Sequence, residues 1–228
     1  MRSWFPLTDY DFYAHVIAGT LFIAICDYCF ADGFLIHKTM WSFVDGFFWA
    51  IVAYLTGHLI ATPASAFIEH RVMGHWMGAP IQVQLGYKKP GMISAIFARI
   101  FAPREYREFP PGILSSIKLR AAEALQMKSE ELQAEDIFQL AFHPARGNPD
   151  TAARLNSFQN QYGLCRNIAF VAFASAIMLC VVQWHSPSNQ TGVLILISLI
   201  AMIGMFGRFL KFYGAYSADV LRTFGTKS

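Results

Sequence analysis

Apolar positions along this chain fall into four long runs, roughly Phe12–Phe30, Phe43–Ala66, Asn167–Trp184 and Gly192–Phe212. Each reaches or approaches the ~20 apolar residues with which an α-helix crosses ~30 Å of hydrocarbon. The pattern predicts an all-α integral membrane protein with four transmembrane helices. A helical cytoplasmic layer is expected from the middle segment and from extensions of the last two helices. The corresponding segments are 1–66 with the first two spans, 67–148 as the cytoplasmic part, and 149–228 with the last two spans.

The polar segments carry helical periodicity too. Pro63 removes a backbone donor near the end of the second run and can kink it. Beyond it Phe67, Val72 and Trp76 alternate with Glu69, His70 and Arg71, and Gly78-Ala79-Pro80 stops the pattern. Residues 81–112 read as a connector holding one amphipathic piece, in which Ile93, Ile96, Phe97, Ile100 and Phe101 recur at helical spacing. A helix is expected from about Ile113 to Met127 after Pro110-Pro111-Gly112, and another from Ser129 with Glu130 and Glu131 in its first turn. Asn148-Pro149 reads as an N-cap and first helical residue. From there one helix of ~35 residues, ~50 Å long, runs to Trp184. The fourth run keeps its periodicity through Phe209–Phe224.

Composition agrees with this reading. The chain is 55% hydrophobic and 14% charged, with a mean hydropathy of +0.37, whereas charged residues make up about 25% of soluble domains. Aromatic residues gather at the ends of the runs: Trp4, Phe5, Trp41, Trp184, Phe212 and Tyr213, where rings favour the headgroup zone. The net charge of +3 matters less than its placement. Basic residues from Arg71 to Arg166 fill the middle segment. Only Lys38 lies between the first two runs, and Gln183–Thr191 has no Lys or Arg. Arg2 precedes the first run, and Lys211, Arg222 and Lys227 follow or close the fourth. The positive-inside bias therefore places both termini and the middle segment in the cytoplasm, best fitting a bacterial inner membrane. No cleavable signal peptide is expected ahead of the first run.

Intramembrane ionisable groups are functional suspects. Here they are His15, Asp27, Asp45, His58 and Arg208, of which only His58 is deep, with Gly57 beside it allowing close helix approach. Cys26 and Cys29 form a C-x-x-C, but the chain has four cysteines, too few for a relay of two cysteine pairs; they read as small apolar packing residues. Glu69, His70 and His75 are weak metal candidates, because two histidines five apart on an α-helix point ~140° away from each other. No catalytic residue and no cofactor is expected. The stretch Arg154–Asn167 places amides, including Asn156 and Asn160, and then Arg166 and Asn167 at the inner boundary. Such groups can fix register between protomers, line a conduit, or simply be solvated. Arg99, Arg104 and Lys211 are placed to contact lipid phosphates.

The expectation is a non-enzymatic inner-membrane subunit that forms a homo-oligomer, contacts membrane lipid and engages a cytoplasmic protein partner. Acidic residues interleave with the basic ones, so no dedicated nucleic-acid surface is expected. The rivals are an oligomeric ion-conducting or depolarising pore, with His58, Arg208 or the amide face at its axis, and a redox- or metal-dependent membrane enzyme. In architecture alone, with no motif carrying the likeness, the chain resembles membrane components of bacterial anti-phage systems such as Kiwa.

Overall fold

The computed structural model describes residues 9–226, with side chains from 14 to 225; Arg2, Trp4, Phe5 and Lys227 lie outside the described residues. Within them every regular element is helical: α1 (Asp9–Phe30), α2 (Phe43–Ser65), a π-helical run π1 (Ala66–Met77), α3 (Pro80–Gln84), α4 (Met92–Phe101), α5 (Pro111–Leu125), α6 (Ala134–Arg146), α7 (Pro149–His185) and α8 (Asn189–Thr226). Three helical stretches among the described residues are long and apolar enough to cross a membrane: Phe43–Gln84, Pro149–His185 and Asn189–Gly225. Ala14–Phe30 is a shorter apolar helix. The chain divides into two compact units, one of Met1–Ile68 and Gly163–Phe206, the other of Glu69–Tyr162 and Gly207–Ser228.

In the first unit α1 and α2 form an antiparallel hairpin whose register follows from small residues. A Cβ on Gly19 would stand 1.8 Å from the Ala53 carbonyl oxygen, and one on Gly57 would stand 1.9 Å from that of His15. A step of four along α1 is thus matched by a step of four backwards along α2, and the backbones touch at both levels. In lipid, close van der Waals packing of this kind holds helices together, because apolar side chains gain nothing from leaving acyl chains for one another. Ser42 starts α2 with a capping box: its Oγ accepts from the Asp45 N–H, and Asp45 accepts from the Ser42 N–H. Lys38 Nζ lies 2.9 Å from the same carboxylate. Ala18, Ile60, Ala64 and Val171 join α1, α2 and α7 in one apolar cluster. The Tyr28 hydroxyl meets Thr191 Oγ1 at 2.9 Å and so ties α1 to the start of α8.

The outside of this unit is apolar. Phe43 is 89% exposed and Leu59 76%, with Val44, Phe47, Ile51 and Leu55 between them; Val193, Leu196, Ile197, Ile200 and Ile203 form a similar stripe on α8. Soluble chains expose large apolar side chains singly, not as continuous stripes. Both stripes lie on helical stretches that are long and apolar enough to cross a membrane.

The second unit has its own core, built from Ile117, Ala121, Ile137, Ala141, Leu155, Val220 and Leu221. Four helices supply it. α7 begins as expected, with Asn148 Oδ1 accepting from the N–H groups of Asp150 and Thr151 at 3.0 and 3.2 Å. Arg154 pairs with Asp219 across α7 and α8, and Arg120 donates to the Phe224 carbonyl near the C-terminus of α8. Two expectations need correction. The helix expected at Ser129 starts at Ala134, so that Glu135 and Asp136 occupy its first turn; the chain first leaves α5 through Gln126 in the left-handed region, φ 53°. The connector 81–112 holds a second short helix, α3. The helix continues past Pro63, as its spacing suggests: α2 runs through it to Ser65 and then widens into π1. Runs of this kind are rare and are mostly found near functional sites.

Candidate functional site

Two places gather polar groups whose positions the fold dictates. The first is in the α1–α2 hairpin. His15 and His58 stack face to face, ring centroids 3.9 Å apart and 16° from parallel, and Tyr54 meets the His58 ring edge-on at 4.6 Å. The stack exists because Gly57, next to His58, lets the His15 backbone into contact. His58 is exposed on the outside of the chain, flanked by exposed Leu55 and Leu59. His58 was expected deep in the second span; it lies on α2, and its ring faces outward and not into the unit.

The second place is the basic side of the second unit. Lys88, Lys89, Arg99 and Arg107 line an open cavity of about 330 Å³ together with Tyr106 and Glu108. Its floor is rigid. Tyr106 is buried and its hydroxyl donates to the Met77 carbonyl at 2.9 Å and to that of Gly78, which fixes the loop after α4 to the end of π1. Burial, and after it neighbouring Tyr213, pushes the Tyr106 hydroxyl well above its ordinary pKa of 10.0. Lys88 Nζ donates to the Gly74 carbonyl at 3.1 Å. Behind them lies a fully buried amide. Gln84 Nε2 donates to the carbonyls of Glu105 and Gly214 at 2.7 and 2.8 Å, and its Oε1 accepts from Ser217 Oγ at 2.9 Å. A Cβ on Gly214 would press 2.8 Å against the Glu105 carbonyl oxygen, so α8 can approach this loop only through glycine. Gln84 has no sequence signal: it alternates with Ile81, Val83 and Leu85 in a short connector, and nothing there marks it as buried.

The remaining candidates are placed as follows. His75 Nδ1 lies 3.0 Å from the His70 carbonyl oxygen. The 140° divergence expected of an α-helix does not apply, because π geometry brings residues five apart onto one face. Both rings are exposed, and among the described residues no three His, Cys, Asp or Glu side chains gather to hold a metal ion. Asn167 is buried, 2% exposed, and its Oδ1 accepts from Arg166 Nε and Nη2 at 3.2 and 3.1 Å; the pair is engaged within the chain. Asn156 is exposed and Asn160 half-buried. Arg208 is exposed and lies over the Phe212 ring at 5.5 Å. Arg99, Arg104 and Lys211 are exposed. Cys26, Cys29, Cys165 and Cys180 are not joined in disulfides. Asp27 is buried and is a loop anchor: both carboxylate oxygens face the Leu35 N–H, and Oδ2 also accepts from Ile36.

No protein-family model matches the chain, and no curated protein or solved structure matches it.

Proposed function

We propose that this chain is a non-enzymatic membrane subunit that crosses the bilayer four times, assembles with copies of itself, and offers its second unit to a protein partner in the cytoplasm. The observation that supports self-assembly is the outward ring of His58. A histidine midway along a spanning helix almost always faces a bundle interior or water, since hydrocarbon solvates its ring nitrogens poorly. Here the ring is on the outside of the protomer, between leucines that face lipid. A neighbouring protomer that covers it removes the cost. The exposed amides of Asn156, Gln159 and neighbouring Ser157 give the second unit a polar face suited to reversible protein contact.

The fourth crossing is α1. It pairs antiparallel with α2 at the level of residues 53–57 and is tied to α8 by Tyr28, so it shares the depth of helices that are long enough to span. The experiment is the mass of the detergent-purified protein by light scattering. A homo-oligomer that His58→Leu shifts towards the monomer supports the reading; a wild-type monomer at all concentrations contradicts it.

The same histidine favours one second reading, a conducting pore whose axis His58 faces. Ion flux through reconstituted liposomes that changes in His58→Leu selects the pore; sealed liposomes containing intact oligomer select the subunit.

A further inference from the structure

α4 is unlike the other helices of its unit. Its inner side, Phe97, Ala98 and Phe101, packs inward, but Met92, Ile93, Ile96 and Ile100 stand out; Ile93 is 84% exposed and Ile100 66%. Four large apolar side chains on one face of a ten-residue helix have no partner in their own unit. One contact fixes α4 along α8. A Cβ on Gly207 of α8 would lie 2.2 Å from Phe101 Cδ1, so the Phe101 ring occupies the place of the side chain that Gly207 lacks. On α8 the exposed large apolar residues end at Ile203, about one turn earlier. Arg208 and Lys211, both exposed, follow at once. α4 is therefore held against α8 beside Arg208 and Lys211.

The basic cavity begins on the same helix. Arg99 and Ala98 of α4 line it, and Lys88, Lys89 and Arg107 complete four cationic side chains against the single carboxylate of Glu108. An apolar face beside a cationic hollow is the form complementary to an anionic amphiphile. We infer that α4 and this cavity form one binding site for an anionic phospholipid of the inner leaflet: the phosphate sits among Lys89, Arg99 and Arg107, and Ile93, Ile96 and Ile100 lie in the acyl boundary beside its chains. Lys88 is a fixed member, because it is tethered to the Gly74 carbonyl. The buried Tyr106 and Gln84 bonds keep the cavity open in the absence of ligand. This site rests on the membrane reading above but not on self-assembly or on the number of crossings.

The test uses the full chain in nanodiscs of phosphatidylcholine mixed with phosphatidylglycerol, with lipids retained on the released protein counted by native mass spectrometry. Wild type retains phosphatidylglycerol in preference to phosphatidylcholine. Each cation near an anionic headgroup is worth about fivefold in binding, so Lys89→Ala with Arg107→Ala lowers that retention about twenty-fivefold. Both residues are exposed, so the variant keeps its core. Ile93→Asp with Ile96→Asp also lowers it, without changing the oligomer. Unchanged retention in the cation variant overturns the inference. Full displacement of the lipid by inorganic phosphate overturns it in favour of a small-anion site. A change in oligomer mass in the Ile93 and Ile96 variant, with lipid retention intact, overturns it in favour of a contact between copies. Release of wild type from membranes by alkaline carbonate would instead sink the membrane reading itself.

Discussion

Asp27 receives the Leu35 N–H on both carboxylate oxygens, at 3.0 and 2.9 Å. Its backbone carbonyl accepts from Ala31 and Gly33 as well. One buried acid thus turns the chain at the end of α1 and aims it towards α2. Hydrogen bonds to a charged group contribute about 1.5–3 kcal/mol each, and the part-buried N–H groups of Leu35 and Ile36 lose them when the carboxylate is removed. Asp27→Ala should therefore make the loop 31–41 a preferred site of proteolytic nicking in membrane vesicles. Asp27→Asn, which keeps one acceptor oxygen, should be cut more slowly. Equal resistance of wild type and Asp27→Ala would remove the anchor role.

The hairpin that this loop closes depends on Gly19 and Gly57. Any side chain at either position meets backbone, which cannot swing aside. Overpacking costs typically 1–3 kcal/mol, more where the obstacle is main chain. Gly57→Ala should lower the thermal midpoint in detergent and separate His15 from His58. Gly46→Ala, where nothing lies within 4 Å, is the matched control and should leave the midpoint unchanged. Equal midpoints for all three proteins would show that the two helices do not meet there.

Gln84 gives the corresponding prediction for the second unit. Gln84→Leu fills the volume but takes its donor from the Glu105 carbonyl, at about 1–3 kcal/mol, while the Gly214 carbonyl keeps Ser217 Oγ at 3.0 Å. Ser217→Ala leaves the buried Gln84 Oε1 without its donor and should cost about 1–3 kcal/mol as well. Unfolding in denaturant checks both: each variant should fall below wild type, and an unchanged Gln84→Leu would contradict the bonds.

Tyr106 adds a pH dependence whose sign follows from its burial. Its hydroxyl keeps its proton in the folded chain beyond the ordinary value of 10.0, whereas the unfolded chain releases it near that value. Above about pH 10 the unfolded state binds fewer protons, so this group's share of stability falls as pH rises. At neutral pH Tyr106→Phe should be less stable than wild type by about 1 kcal/mol, the net worth of its hydrogen bond. The gap should narrow above pH 10. A gap that widens there would contradict the assignment.

Apolar run length and helix punctuation made much of this fold legible in the sequence. Asn148-Pro149 starts α7 and Pro110-Pro111 introduces α5, because a fixed φ and a capping amide act locally. The amphipathic spacing of Ile93, Ile96 and Ile100 likewise gave α4 and its apolar face. What escaped is non-local or depends on hydrogen-bond pattern. The π1 run has the composition of an α-helix, and only its i→i+5 bonds distinguish it, so the relation of His70 to His75 was misjudged. Ser129 has the side chain of an N-cap, yet the left-handed Gln126 carries the chain through a turn first. Gln84 and the pairing of Lys89 with Arg107 come together only through loop closure. The Ala53-x-x-x-Gly57 spacing was a usable sign of the hairpin register, since small residues four apart lie on one helix face.

The claim on which the four-span topology depends is that α1 is a crossing, so that the start of the chain and the middle segment share a compartment. It is tested most directly with an epitope ahead of Met1 and a second one inserted after exposed Ser129, probed by antibody on intact and permeabilised spheroplasts. Four crossings require both epitopes to be silent in intact spheroplasts and both to be bound after permeabilisation. An N-terminal epitope bound in intact spheroplasts, with the Ser129 epitope silent, would leave three crossings and contradict the reading.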